Sequence, residues 1–377
     1  MNRLQDLLES GLSRQQEKEV IQFLETTSSV QLNSALQSIS IRKLFDEVVN
    51  HWTGGKNRDQ LLQLLTVDRI SEIDVVNRCR IIRALQYGWT YHTKELAIRN
   101  VFLATTDLAL VELKRRLDTT SDYRNLFNLI YHDIDDRGLR EEILAHFLEN
   151  KQQGLPAKII SDIDDTVYVN WKDEKFAKKT IYPGMLAFYR ALDRNDGDWR
   201  GDITFITARP KDRTGISENI TLRSLRKLGF EKPIVLAGRW RQLLHSKAIM
   251  ERKWKNFVQY QKLYPDRTFI FIGDSGQLDV EFASRIQQTG LLQLGLIHRI
   301  VPSRERTWEE NYLSKGLFFF NTYVGAAKIA MDHGLLTKQE AWLVMERAKA
   351  EIEKTTSMEP EKRLMELQAD CHFLQSN

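Results

Sequence analysis

Six residues carry the chemistry of this chain. Asp162 and Asp164 stand two apart in Asp162-Ile163-Asp164-Asp165-Thr166, and Thr207 closes the apolar run DITFIT. Lys247 opens a helical pattern, and Asp274 and Asp279 bracket Gly273-Asp274-Ser275-Gly276-Gln277-Leu278-Asp279. A carboxylate such as Asp162 can attack phosphorus and form an aspartyl-phosphate, dividing one hard hydrolysis into two easier steps. A second carboxylate two positions on, Asp164, leaves an extended chain on the same side and can protonate a departing alkoxide. A hard, oxygen-preferring cation would keep nucleophile and phosphate from repelling each other; Mg²⁺ is the expected ion, with Asp162, Asp164, Asp274 and Asp279 as candidate ligands. Thr207 and Lys247 would neutralise the equatorial oxygens as charge spreads in the transition state. Asp279 would coordinate through water or orient Lys247. Thr166 and Arg209 are candidate substrate contacts, although Arg209 reads equally well as part of a solvated loop. Asp165 either caps a turn or helps to hold the cation. The set is a kit for phosphoryl transfer.

The surrounding pattern supplies a frame for it. From Leu155 on, the apolar runs KIISDI (158–163), DITFIT (202–207), KPIVLA (232–237), RTFIFIG (267–273) and LLQLGLIHRIV (291–301) alternate with helical patterns. The helices are expected at about Met185–Leu192, Glu218–Leu228, Ser246–Leu263 and Leu278–Gln287. Strand, helix, strand at this spacing predicts an α/β fold with a parallel sheet covered on both faces, and ligands then bind beyond the carboxyl ends of the strands. Residues 1–150 read as successive helices, starting with a capping-box-like Ser13 ahead of Val20, Ile21 and Leu24. Three regions are therefore expected: an α-helical scaffold or partner-binding domain over 1–150, a catalytic domain over 155–330, and C-terminal helices over 331–377 that pack on it. The tail from Glu309 is read as helical, with Phe318, Phe319 and Phe320 in the core.

Composition narrows the class. With 42% apolar and 28% charged residues in 377, the chain is neither disordered nor of low complexity. Two cysteines, Cys79 and Cys371, cannot build a disulfide framework or a cysteine zinc site, so a reducing compartment is expected. There is no run of 18 apolar residues, and the start MNRLQDLLES lacks the layout of a signal peptide, so a cytoplasmic protein without a transmembrane segment is expected. Charge is uneven: residues 1–150 carry 19 Lys+Arg against 22 Asp+Glu, whereas residues 151–300 carry 26 against 17. The positive excess favours an anionic substrate or surface.

The acidic, hydroxyl, lysine and acidic set, in that order, resembles the four motifs of the haloacid dehalogenase superfamily: DIDDT (162–166), ITFIT (203–207), Lys247 and GDSGQLD (273–279). SDIDDT together with FIFIGDSGQLDVEFA further resembles the catalytic domain of the actin-patch-associated phosphatidate phosphatase family. The resemblance spans about 155–330 and leaves 1–150 without a counterpart. It implies a Mg²⁺-dependent phosphatase on a Rossmann-like parallel sheet. After DIDDT the chain runs VYVNWKDEK, and after Thr207 it runs ARPKDRTG; both segments depart from that family's pattern. A phosphorelay receiver uses the same residue types, but its lysine comes last. The string recurs as Asp133-Ile134-Asp135-Asp136, followed by Arg137-Gly138, where helix capping is the expected role. Nucleic-acid end-processing lacks support, since no GxxxxGK[ST] loop accompanies the site.

Substrate size follows from what is not inserted. Between DIDDT and Tyr182 lies only Val167–Ile181, room for a flap rather than a cap domain. An open site in positive surroundings suits a phosphate on a bulky or surface-bound molecule, with phosphatidate or another lipid phosphate leading. The alternatives are a phosphoprotein, a soluble phosphoester, or a helical adaptor carrying a phosphatase-like domain. A protein partner is expected to bind the N-terminal helices.

Overall fold

The computed structural model describes residues 5, 8, 9, 11–52, 55–119, 122–193, 203–211, 216–239, 246–276, 278–301, 309–313 and 316–375. Two compact units form: residues 1–120, 124–153 and 262–265, and residues 121–123, 154–261 and 266–377.

The first unit is helical. Ser13 caps Arg14–Thr26 in a reciprocal capping box with Gln16, and Val20, Ile21 and Leu24 of that helix are buried. Asp136 caps Arg137–Glu149 by accepting from the amides of Gly138 and Leu139, so the second DIDD string is a helix start. The unit is not wholly α-helical, because Asn50–His51 and Gly55–Lys56 pair as a short antiparallel ribbon.

The second unit is built on six strands: β1 (Lys158–Ser161), β2 (Thr204–Lys211), β3 (Ile234–Arg239), β4 (Phe269–Asp274), β5 (Leu292–His298) and β6 (Leu317–Phe320). Their spatial order is 3-2-1-4-5-6, and every neighbouring pair is parallel. β6 departs from the helical reading of the tail. LFFF is an edge strand too short to show a period, and it pairs with β5 from Gly295↔Leu317 to His298↔Phe320.

Alternate residues face opposite helix layers, as the pleat requires. Phe269 and Phe271 meet Phe257 of α3 (Ser246–Leu263) and Phe282 of α4 (Leu278–Gln288). Ile270 and Ile272 join a core with α1 (Met185–Leu192), α2 (Ile216–Leu228) and the helices after β6: α5 (Tyr323–Asp332), α6 (Lys338–Ile352) and α7 (Pro360–Gln375). Ala341, Val344, Met345 and Leu367 lie in that core, which ties the C-terminal helices to the sheet. In this strand order the chain reverses direction across the sheet between β1 and β4, and a crevice opens there beyond the carboxyl ends.

Candidate active site

Asp162 follows β1 directly, and its amide extends the ladder to the carbonyl of Ile272 at 2.9 Å. Asp274 ends the neighbouring β4 and Asp279 lies in the first turn of α4. The strand pairing Ser161↔Ile272 therefore brings together carboxylates more than a hundred residues apart in the chain. Each of Asp162, Asp274 and Asp279 presents an oxygen within 4.8 Å of the others. The two glycines of GDSG permit this approach. A Cβ at Gly273 would lie 2.6 Å from Asp279 Oδ2, and one at Gly276 would lie 2.5 Å from Asp274 Oδ1.

The cation among these carboxylates is Lys253. Its Nζ donates to Asp162 Oδ1 at 2.6 Å and to Asp279 Oδ1 at 2.7 Å, and all three residues are buried. Lys247, expected from the sequence in this place, stands six residues earlier in α3. That is about 9 Å along the axis and about 120° around it, and its side chain lies outside the described residues. Lys253 does carry a sequence signal: it falls among Met250, Phe257 and Tyr260, the buried stripe of α3, where a lone lysine is anomalous.

The other expected residues separate. Thr207 is buried at the end of the β2 run and lines the same cleft as Asp162, Asp164, Lys253, Asp274 and Asp279. The cleft measures about 560 Å³. Asp164 lines it too, but its carboxylate accepts from Asn170 Nδ2 at 2.8 Å and stands apart from the three-carboxylate cluster. Thr166 does not reach the cleft. The backbone turns at Asp165, with φ +58°, and Thr166 is fully buried with its hydroxyl unpartnered among the described residues. Arg209 lies on β2, but its side chain is outside the described residues.

Asp165 resolves to a clasp. Its carboxylate accepts from the amides of Asn170 at 2.7 Å, Trp171 at 3.0 Å and Lys172 at 2.7 Å, fixing a hairpin whose arms meet at Tyr168↔Ile181. Lys172 in turn donates to the carbonyl of Gly276 at 2.9 Å. Asn170, Trp171 and Lys172 thus join the cleft lining, a role no local spacing announces. Behind the loop, Ser161 Oγ lies 2.6 Å from Tyr189 Oη and donates to the Asp162 carbonyl, while Tyr323 Oη donates to the Thr166 carbonyl at 2.5 Å. Side chains from β1, α1 and α5 therefore brace the acidic loop from the core side.

Residues 157–290 match the family model described as phosphatidate phosphatase APP1, catalytic domain. The match covers about a third of the chain. Every described residue lining the cleft falls inside it. No curated protein matches the chain.

Burial and mutual repulsion perturb two carboxylates of the cluster. Burial, then repulsion from Asp279 and Asp164, pushes Asp162 up to about 7 from an ordinary 3.8, although Lys253 opposes the shift. Asp274 is raised by burial and by its Asp279 and Asp162 neighbours. Burial would lower the Lys253 value, but the two carboxylates raise it above that of an ordinary lysine. Three oxygen-donor carboxylates against one ammonium fit a hard divalent cation, with Asp162, Asp274 and Asp279 as its ligands.

A pH dependence follows. In the cation-free protein, folded Asp162 keeps its proton up to about 7 while the unfolded residue ionises near 3.8, so stability falls as pH rises through that window. A divalent cation held there would bind the ionised carboxylates and displace those protons. Mg²⁺ at a hundredfold excess over its Kd at pH 8 should therefore stabilise the fold there by about 2–3 kcal/mol and raise Tm, and the same concentration should raise Tm less at pH 5.5. Scanning calorimetry with and without Mg²⁺ at the two pH values checks this; equal gains at both would count against the cluster as the binding site.

Proposed function

We propose that this cleft is the active site of a Mg²⁺-dependent phosphomonoester hydrolase of the haloacid dehalogenase type that acts on phosphatidate or another lipid phosphate. The observation that carries the reading is the coincidence of the cleft lining with the span that matches the phosphatidate phosphatase catalytic domain.

In this mechanism Lys253 holds Asp162 Oδ1 and leaves the second carboxylate oxygen to attack phosphorus. The P–O bond to the alcohol breaks as the aspartyl-phosphate forms, and Asp164 gives its proton to the leaving alkoxide. Asp164 then takes a proton from water, whose oxygen attacks the phosphorus, freeing inorganic phosphate and restoring Asp162. Lys253 and the Thr207 hydroxyl stabilise the charge on the transferring group. Mg²⁺ held by Asp162, Asp274 and Asp279 would supply charge neutralisation for the phosphate oxygens. Asn170 fixes the Asp164 carboxylate through its 2.8 Å bond. Residues 1–150 lie outside the matched span and are assigned to partner binding.

The test is a turnover assay on phosphatidate in vesicles, a phosphopeptide and small sugar or nucleotide monophosphates, each with and without a chelator. Chelator-sensitive hydrolysis that favours phosphatidate is expected. Efficient hydrolysis of only the small esters would reject the lipid assignment, and full activity in excess chelator would reject the metal.

A further inference from the structure

The hairpin beside the cleft exposes what a folded protein usually covers. Trp171 is 75% exposed although its backbone is held rigidly by the buried carboxylate of Asp165. It lines the cleft that contains Asp162. A loop tip without such bonds can display an indole at little cost, but here the backbone beneath the indole is tied to Asp165 at the edge of the cleft. The hairpin carries a net positive charge. Lys172, Lys178 and Lys179 are exposed on it against one exposed acid, Glu174, whereas Asp173 is buried and accepts from Tyr182 Oη at 2.7 Å. Lys179 Nζ donates to the side chain of Asn170, the residue before the tryptophan, at 2.6 Å and lies 4.8 Å from the centre of the Tyr168 ring. Lys179 itself holds a φ of +68°, an unusual conformation for a residue with a side chain.

An indole with a cationic collar is the composition of a bilayer-interface anchor: the ring sits at headgroup level and the ammonium groups meet anionic headgroups. We infer that the hairpin Tyr168–Ile181 is a docking surface for an anionic lipid bilayer, with Trp171 entering the interface and Lys172, Lys178 and Lys179 pairing with headgroup phosphates. Because Trp171 and Lys172 also line the cleft, docking would bring the cleft mouth against the membrane. This deepens the lipid-phosphatase reading and rests on it, but its charge complementarity is independent of the reaction. The Asp165 clasp thereby gains a purpose, which is to present Trp171 in one orientation.

The test is co-sedimentation of the full chain with phosphatidylcholine vesicles containing or lacking about 30 mol% phosphatidylserine, an anionic lipid that is not a phosphomonoester. The parent protein should bind the anionic vesicles and release them at high salt. Trp171→Ala should weaken binding about fivefold or more, Trp171→Phe should restore part of it, and K178Q/K179Q should weaken it and flatten the salt dependence. Trp89→Ala, at a 91% exposed tryptophan of the other unit, should bind like the parent. Binding by Trp171→Ala equal to the parent's would overturn the inference. So would a parent that ignores anionic vesicles, or one that captures phosphopeptides through Trp171 instead. Because the probe lipid is not a substrate, Trp171-dependent binding without phosphatidate turnover would leave the docking surface standing and reject the substrate.

Discussion

Asp162→Asn is expected to lower turnover by about 10⁴-fold or more while leaving the fold intact, because under the proposed mechanism the substitution removes the attacking oxygen and keeps the side chain's shape. The carboxamide oxygen can still accept from Lys253, so the 2.6 Å contact has a neutral replacement. Stability should not suffer. Folded Asp162 is harder to ionise than its unfolded counterpart, so at pH 8 the parent carries a charge penalty that the Asn variant lacks. Turnover lost without a fall in Tm would separate a chemical role from a structural one. Asp164→Asn should behave differently. It should slow an alkyl phosphate far more than a nitrophenyl phosphate, whose leaving group needs no proton. Above about 1% residual turnover in Asp162→Asn on any good substrate, the covalent route would have to be abandoned.

The acidic half of the site was legible because strand ends are legible. An apolar run that stops at Asp162 and another that stops at Asp274 can only place those carboxylates on one rim of a parallel sheet, and the observed pairing Ser161↔Ile272 does so. What escaped depended on three-dimensional closure. β6 is four residues of LFFF, with no alternation to distinguish it from a buried helix. The inward turn of Thr166 depends on one positive φ at Asp165, which residue type alone does not dictate. The contribution of Asn170, Trp171 and Lys172 depends on the same aspartate reaching five to seven residues forward to bond their amides. Local patterns fix which residues end a strand, whereas long-range bonds fix which side chains then share its crevice.

The lysine is the sharpest case. Lys253→Met should cut turnover about 10³-fold, whereas Lys247→Met should stay within about threefold of the parent. Burial of Lys253 between Asp162 and Asp279, at 2.6 and 2.7 Å, means that its loss leaves two carboxylates facing each other with no proton donor between them. Removing one partner of such a buried arrangement costs about 3–5 kcal/mol, so the Met variant should also melt well below the parent in the absence of a cation. Added Mg²⁺ should recover much of that stability, since it can neutralise the same carboxylates. It should not recover turnover, since the oriented ammonium on Asp162 Oδ1 is gone. This split between rescued Tm and unrescued rate is what a purely structural lysine would not produce. Recovery of both together would reduce Lys253 to a counter-ion. A thousandfold loss in Lys247→Met, with Lys253→Met active, would restore the lysine that stands at the start of the helix.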